Sequence, residues 1–349
     1  MLIRINYRFA LELWRLITLS IVWAFLITGN VAQASETLDQ SDLTATDPKE
    51  PISPISDNAD RDPRRVSLGE RLFNDVRLSR ENNVSCASCH PLDRAGMDGR
   101  SRAITSAGTL HSRNTPTVFN VAFNSSFNWD RVAKTLEAHA EIVLLNLMNT
   151  TWPELLAKLR ADGDYVNQFG AAYEEGLTRE SVLNALAEFE RNLLTPNSRF
   201  DRYLRGDQNA LNAREQRGYK LFKSYGCVAC HQGPNIGGNM FQKFGIFEDK
   251  NNLALSEKSH DLGRYLVTRV ARDREVFRVP SLRNVGVTAP YFHDGRARTL
   301  EDAVDKMARV QLGSKLRGDE VSLIAEFLQT LTGEYEGQSL ARPSKEAEQ

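Results

Sequence analysis

Apolar residues recur along this chain mostly at the helical period, and strand-type alternation is scarce. Leu68, Leu72 and Phe73 share one face of a short helix expected over Ser67 to Phe73. Val132 to Leu147 sets Leu136, Ala140, Val143, Leu144 and Leu147 along one face and predicts a longer helix. Trp152 to Phe169 predicts another, with Thr151 as its N-cap. A further helix is expected over Thr178 to Leu194. Its cap is Thr178 or Ser181, followed by Leu183, Leu186, Ala187, Phe189, Glu190 and Leu194. Gln216 to Phe222, Leu300 to Met307 and Ser322 to Leu331 read the same way, and Glu301 and Asp302 suit the first turn of theirs. The expected fold class is mainly α with few short strands.

The ends of the chain break this pattern. Arg4, Arg8 and Arg15 flank an apolar run, Leu16 to Gly29, too short to span a bilayer comfortably. With Ala32-Gln33-Ala34 as a cleavage site, residues 1–34 read as a signal peptide and Ser35 as the mature N-terminus; an uncleaved anchor is the alternative. Residues 35–61 are polar and rich in Pro, Asp and Ser, a flexible linker. Residues 62–205 and 206–335 then form two domains, and 336–349 form a disordered polar tail. The 349 residues are 41% hydrophobic and 26% charged with net charge −1. That is ordinary globular composition with room for two domains, and it offers no nucleic-acid footprint.

The chemistry lies in two copies of one pattern. Cys86-Ala87-Ser88-Cys89-His90 and Cys227-Val228-Ala229-Cys230-His231 contain all four cysteines. Cys-x-x-Cys-His is the attachment signature of c-type haem: two thiols on one turn reach both porphyrin vinyl groups, and the next imidazole meets the iron. Cys86 and Cys89 would hold one haem with His90 as ligand, and Cys227 and Cys230 a second with His231. Two thiol pairs could instead hold zinc, but that leaves the histidine unexplained twice. Vicinal Cys-x-x-Cys disulfides are usually redox-active rather than structural. Export fits haem, whose covalent attachment takes place outside the cytoplasm, and an oxidising compartment disfavours free zinc thiolates. A Leu-Phe pair on a short helix precedes each motif, a weak internal repeat.

Beyond these motifs the chain carries Arg113-Asn114-Thr115-Pro116-Thr117, Trp129-Asp130, Arg278-Val279-Pro280-Ser281-Leu282-Arg283-Asn284, Thr288-Ala289-Pro290-Tyr291-Phe292-His293-Asp294-Gly295, and Met307 before Gln311-Leu312-Gly313. With the two haem motifs, over about residues 62–335, these resemble the bacterial di-haem cytochrome c peroxidase family, including its methylamine-utilisation-type relatives. The resemblance implies two cytochrome c-like haem domains side by side, an N-terminal peroxidatic haem and a C-terminal electron-transfer haem with His231 and Met307 as iron ligands. A thioether ligand raises the potential, consistent with a relay. The resemblance further implies a calcium ion near Asn114, Thr288 and Pro290, with Trp129 between the haems. His293 would stand near the second haem or the domain junction, and Arg278 and Arg283 would pair with haem propionates. His111 would be a displaceable distal histidine.

The resemblance breaks where the family has a glutamine and a glutamate after Trp-Asp. His139 stands at the glutamine, and the glutamate position falls at Asn149 or in a deletion around Leu147-Met148, so no acid stands there. Arg131-Val132 also replaces the usual Gly-Arg. His139 suits proton shuttling near neutral pH. The implied function is a periplasmic di-haem peroxidase that reduces hydrogen peroxide to water. Its electrons would come singly from a small redox protein, a cytochrome c or cupredoxin. A methylamine-utilisation-like oxidase of a protein substrate is one alternative, against which stands Met307, where that relative has tyrosine. A non-catalytic di-haem electron carrier is another. Family members are commonly dimers, so the resemblance implies a homodimer.

Overall fold

The structure is a computed structural model that describes residues 50–56, 60–130, 133–248 and 261–341. The expected signal peptide lies outside the described residues. Among those described, no helix is long and apolar enough to cross a membrane. The first half carries α1 (Pro63–Phe73), the single turn α2 (Cys86–Cys89), α3 (Leu136–Ile142), α4 (Trp152–Arg160), α5 (Gly163–Ala172) and α6 (Arg179–Asn192). The second half carries α7 (Arg199–Leu204), α8 (Ala213–Ser224), β1 (Phe241–Lys243), α9 (Tyr265–Thr268), β2 (Val276–Arg278), α10 (Leu300–Leu312) and α11 (Gly318–Gln329). A closing hairpin pairs β3 (Glu334–Tyr335) with β4 (Gln338–Ser339). The mainly helical class holds.

Capping chemistry sets several boundaries that periodicity alone misplaces. α1 starts at Pro63 because the Asp62 side chain accepts the Arg64 N–H at 3.0 Å and proline needs no donor there. The segment from Trp152 to Phe169 is two helices rather than one. Asp162 caps α5 by accepting the Asp164 N–H at 3.0 Å, and Arg71 and Arg77 hold its other oxygen at 2.9 and 3.1 Å. α3 begins at Leu136 because Thr135 caps it, and beyond Ile142 it widens into a π-helical turn, Val143–Leu147.

Each half is organised around one close helix pair, α1 against α6 and α8 against α11. The approach depends on glycine. A Cβ at Gly69 would collide with the Ala185 carbonyl oxygen and Phe189 Cβ, and one at Gly218 with the Leu323 carbonyl oxygen and Phe327 Cβ. Ala185 and Phe189, like Leu323 and Phe327, stand four residues apart and so face one way. Around the first pair packs a cluster that includes Leu68, Leu72, Phe73, Leu159, Tyr165 and Phe169. Around the second pack Phe200, Tyr219, Phe222, Ile324 and Leu331. Phe200 belongs to this second core, so by packing the halves divide before α7, ahead of the expected boundary at 205.

The terminal segments cross over. Ile52 and Ile55, within the expected linker, are buried, and Ile52 packs in the second core. The Ile55 N–H donates to Asp201 at 3.2 Å, and the Gly233 N–H to the Pro51 carbonyl at 2.9 Å. At the other end Tyr335 and Leu340 pack on the first core, with Tyr335 5.0 Å from the Phe119 ring. The hairpin turn uses Glu336 and Gly337, both at positive φ (50° and 74°), which matches a tight two-residue connection. Thus 336–341, expected in the disordered tail, holds β4 and a core contact; 342–349 lies outside the described residues.

Gly218→Ala tests the helix contact by its sign. In an unencumbered helix the change stabilises by up to about 1 kcal/mol. Here the overpacked Cβ should cost about 1–3 kcal/mol, seen as a lower midpoint in thermal unfolding of the holo-protein. A raised midpoint would show that the helices do not meet so closely.

Candidate functional site

The first motif sits on one tight turn. Ser85 and Ser88 cap each other reciprocally, and the His90 N–H bonds the Cys86 carbonyl at 2.9 Å. Cys86, Cys89 and His90 all line one cavity, and both thiols are free. The His90 Nδ1 is 3.0 Å from the Gly96 carbonyl oxygen. A carbonyl only accepts, so Nδ1 carries the proton and Nε2 keeps its lone pair for a metal. Burial lowers the His90 pKa and raises that of Cys86 far above the usual thiol range, with the neighbouring Glu190 charge adding to the latter. Aliphatic wall comes from Leu136, Val143, Leu144, Leu147 and Leu186.

The second motif repeats the arrangement. Gly226 at φ 81° leads into a short 3₁₀ turn, Cys227–Ala229. The His231 N–H bonds the Cys227 carbonyl at 3.0 Å, and its Nδ1 lies 3.2 Å from the Ile236 carbonyl oxygen, again leaving Nε2 free. Burial lowers the pKa of His231 to about 4 and raises that of Cys227 to about 11. Its cavity is walled by Phe222, Leu282, Leu316, Ile324 and Leu328. α10 contributes Leu300, Ala303, Val304 and Met307, one helical face, so Met307 shares the cavity with His231. Cys86 and Cys89 line the first cavity and Cys227 the second, so the two motifs serve separate cavities. Among the described residues no cluster of three or more His, Cys, Asp or Glu could hold a metal ion, which removes the shared-zinc reading.

The two cavities meet at a common wall of Asn114, Thr115, Pro116, Thr117, Asn124, Trp129 and Arg278, each of which lines both. Trp129 donates its indole N–H to the Asn114 carbonyl at 3.0 Å, and its own carbonyl accepts the Arg278 N–H at 2.8 Å. Pairing of β1 with β2 puts Arg278 across from Phe241. Its guanidinium donates to the Asn128 carbonyl (3.1 Å) and weakly to Asn124 Oδ1 (3.4 Å). Among the described residues it meets no carboxylate, and burial pulls its pKa down to about 10. A buried cation so placed is suited to an anionic group in either cavity.

Other expected residues sort by where they lie. His111 lines the first cavity, and its Nδ1 accepts the Arg113 N–H at 3.2 Å. His139 lines it too, stacked 5.9 Å from the Phe127 ring with Nε2 3.2 Å from Asn128 Oδ1. Enclosure lowers its pKa to about 4, with the His90 and Arg278 charges adding. Asn114, Thr288 and Pro290 all line the second cavity. His293 lines neither; it stacks 4.1 Å from Phe277 and lies edge-on to Trp129 at 6.3 Å.

Arg283 departs from expectation. It lines neither cavity, and its guanidinium is taken by Asp201 at 2.7 Å, the Pro234 carbonyl at 2.8 Å and the Ser53 carbonyl at 3.0 Å. Those partners leave it a structural cation, not a propionate ligand. Asn149, at the expected glutamate position, is exposed with φ 51° and does not line the first cavity. Besides Asp130, which Arg113 holds, a second carboxyl does line it: Glu190 of α6, which the motifs did not single out. Its only signal was a charge on the apolar face beside Leu186 and Phe189.

Two cysteine-histidine cavities sharing a tryptophan wall define a di-haem c-type cytochrome. Comparison with known proteins places it further. The family model for di-haem cytochrome c peroxidase matches residues 63–209. Cytochrome c551 peroxidase of Nitrosomonas europaea is 42% identical over 84% of this chain and 86% of its own length. Cytochrome c peroxidase Ccp of Escherichia coli is 41% identical over 87% of this chain, which spans 65% of that longer protein. A solved MauG-like protein associated with microbial copper homeostasis superposes with TM-score 0.70 at 28% identity, covering 85% of this chain and 96% of its own. The chain belongs to the di-haem cytochrome c peroxidase family and is an oxidoreductase of that kind, with two haem c groups implied. The residues fit that cofactor: paired free thiols, an imidazole Nε2 left open by a carbonyl-bound Nδ1, apolar walls and an unneutralised buried guanidinium.

Replacing Cys227 and Cys230 by alanine should leave one covalently attached haem in place of two, read by intact-mass spectrometry of the exported protein. Two attached haems in that variant would contradict the assignment of the second cavity.

Proposed function

We propose that this protein is a periplasmic peroxidase that converts one hydrogen peroxide, two protons and two electrons into two waters. The electrons arrive one at a time from a small soluble redox protein, a cytochrome c or cupredoxin. When bound, the haems supply redox-active iron at which electrons are stored and peroxide is reduced. The observation that carries the reading is the inequality of the two cavities. The first adds His111, His139 and Glu190 to its motif histidine, whereas the second has a largely aliphatic wall with Met307. Proton-handling groups belong where peroxide is cleaved, and an apolar cavity with a thioether suits an electron relay.

In this reading Met307 and His231 would hold the iron of the second haem, and Trp129, on the wall common to both cavities, would stand in the path of the electrons. His139 is neutral at physiological pH, because its proton affinity is lowered to about 4. It can therefore accept a proton from the near oxygen of peroxide and return it to the leaving one. His111 closes the first site until the protein is half-reduced. As long as the Arg113 N–H occupies its Nδ1, a neutral His111 carries its proton on Nε2, so it must give up that bond or that proton before it can ligate. Asn114, with the carbonyls of Thr288 and Pro290, offers hard oxygen donors for a calcium ion beside the second cavity. The leader at residues 1–34 directs export.

The test is peroxide-dependent oxidation of a reduced donor cytochrome by the half-reduced holo-protein. Turnover is expected in the wild type, and His139→Gln should lower kcat/KM by about 10²–10⁴-fold, the usual worth of a positioned acid–base group. Absence of turnover with both haems in place would overturn the peroxidase reading, and an unchanged rate in the variant would remove His139 from it.

A further inference from the structure

The two halves of this protein allow an internal comparison. α6 and α11 play the same part, each meeting its partner helix at a glycine through a residue pair four apart, Ala185 and Phe189 in one, Leu323 and Phe327 in the other. The residue after the phenylalanine lines the cavity in both halves. In the second half that residue is Leu328. In the first it is Glu190.

A carboxyl thus takes an aliphatic position. Glu190 is only 9% exposed, and among the described residues nothing hydrogen-bonds or ion-pairs with its side chain. Its neighbour Arg191 is committed elsewhere, to Glu137 at 2.6 Å and Glu188 at 2.8 Å. Structural buried acids normally carry such partners. The side chain instead opens on the first cavity, close enough to Cys86 for its charge to act on the thiol. Burial raises its pKa to about 8, against the opposing Arg191 charge and with Glu137 adding. A group in this state changes protonation when charge in the cavity changes.

We propose that Glu190 is the proton-exchanging group of the first haem cavity, its carboxylate taking up one proton for each electron that enters there. The balance is simple: an O–H bond forms at Glu190 as one breaks in a solvent hydronium, which leaves as water, and the electron supplied by the donor protein would reside on the iron. The second cavity, with Leu328 at that place, lacks such a group. Other charged groups act on Glu190 or line the first cavity, and they must be separated from it. Glu137 on α3 is held by Arg191, and His139 on α3 is neutral above about pH 4. Arg113 is paired with Asp130 and Asp261, both at 2.5 Å. Asp130, His111, Arg278 and the motif residues Cys86, Cys89 and His90 complete the set.

The inference rests on the haem-bearing first cavity of the proposed function but not on peroxide turnover. It is therefore tested on potential, not rate. Each haem of the holo-protein is titrated spectroelectrochemically over about pH 6 to 9, spanning the interval in which a buried carboxyl of this kind titrates. In the wild type the first haem's midpoint potential should fall as pH rises, while the second haem's stays nearly level. Glu190→Gln should abolish that slope and raise the first potential at the alkaline end, where a negative charge has been removed. Glu190→Asp, which keeps the acid, should retain a slope and guards against a variant that merely misfolds. A level first potential in the wild type, or an undiminished slope in Glu190→Gln, would overturn the proposal. Peroxide turnover, scored separately on the same samples, reports on the peroxidase reading alone.

Discussion

An unneutralised buried charge is the constraint around which this molecule is arranged. Arg278 lies where the two cavities meet, anchored by its main chain to Trp129 and to β1, with only amide oxygens for its guanidinium. Leaving a cation in that state costs several kcal/mol. The cost would fall if carboxylates of a bound group entered either cavity, which would couple cofactor binding to completion of the fold. The same wall supplies the indole that lines both cavities, and its hydrogen bond to the Asn114 carbonyl holds the ring there. The indole and the buried cation are thus held by the same few residues.

The halves share a plan but differ in polarity. Both use a Cys-x-x-Cys-His turn, a histidine whose Nδ1 is committed to a carbonyl, and a glycine-mediated helix crossing. These repeated features do what any c-type site needs: reach, tautomer and close packing. The differences lie on the remaining walls. The first cavity has imidazoles and the carboxyls of Asp130 and Glu190; the second has aliphatic side chains and a thioether. One scaffold can therefore serve proton-coupled chemistry and simple electron storage, because wall residues can change without disturbing the helix pair.

The two halves are also tied together by their ends. The segment around Ile52 and Ile55 docks on the second core, and the closing hairpin docks on the first through Tyr335. Arg283 fastens the first of these straps, joining Ser53, Asp201 and Pro234 in one buried network. Two small cores, each thin by itself, gain area and fixed orientation from such exchanges. A fixed orientation matters here, because the shared wall exists only if the halves keep their register.

Much of this was legible in the residue order. Helix class followed from apolar spacing, and both attachment turns from thiols three apart with histidine next, since covalent reach is a local matter. Met307 could be named only by likeness, and its place beside His231 rests on α10 folding back over the second cavity. Arg278 and Arg283 looked equivalent, five residues apart in one motif. Only packing separates them, because one finds a carboxylate and the other does not. Glu190 read as one more charge on an amphipathic helix, and Asn149 as the place of a lost acid. The chain by itself settled what local geometry can encode: period, caps and covalent spacing. The tertiary structure decided which charges are buried and what they face, because burial and neutralisation depend on groups brought together from distant parts of the chain.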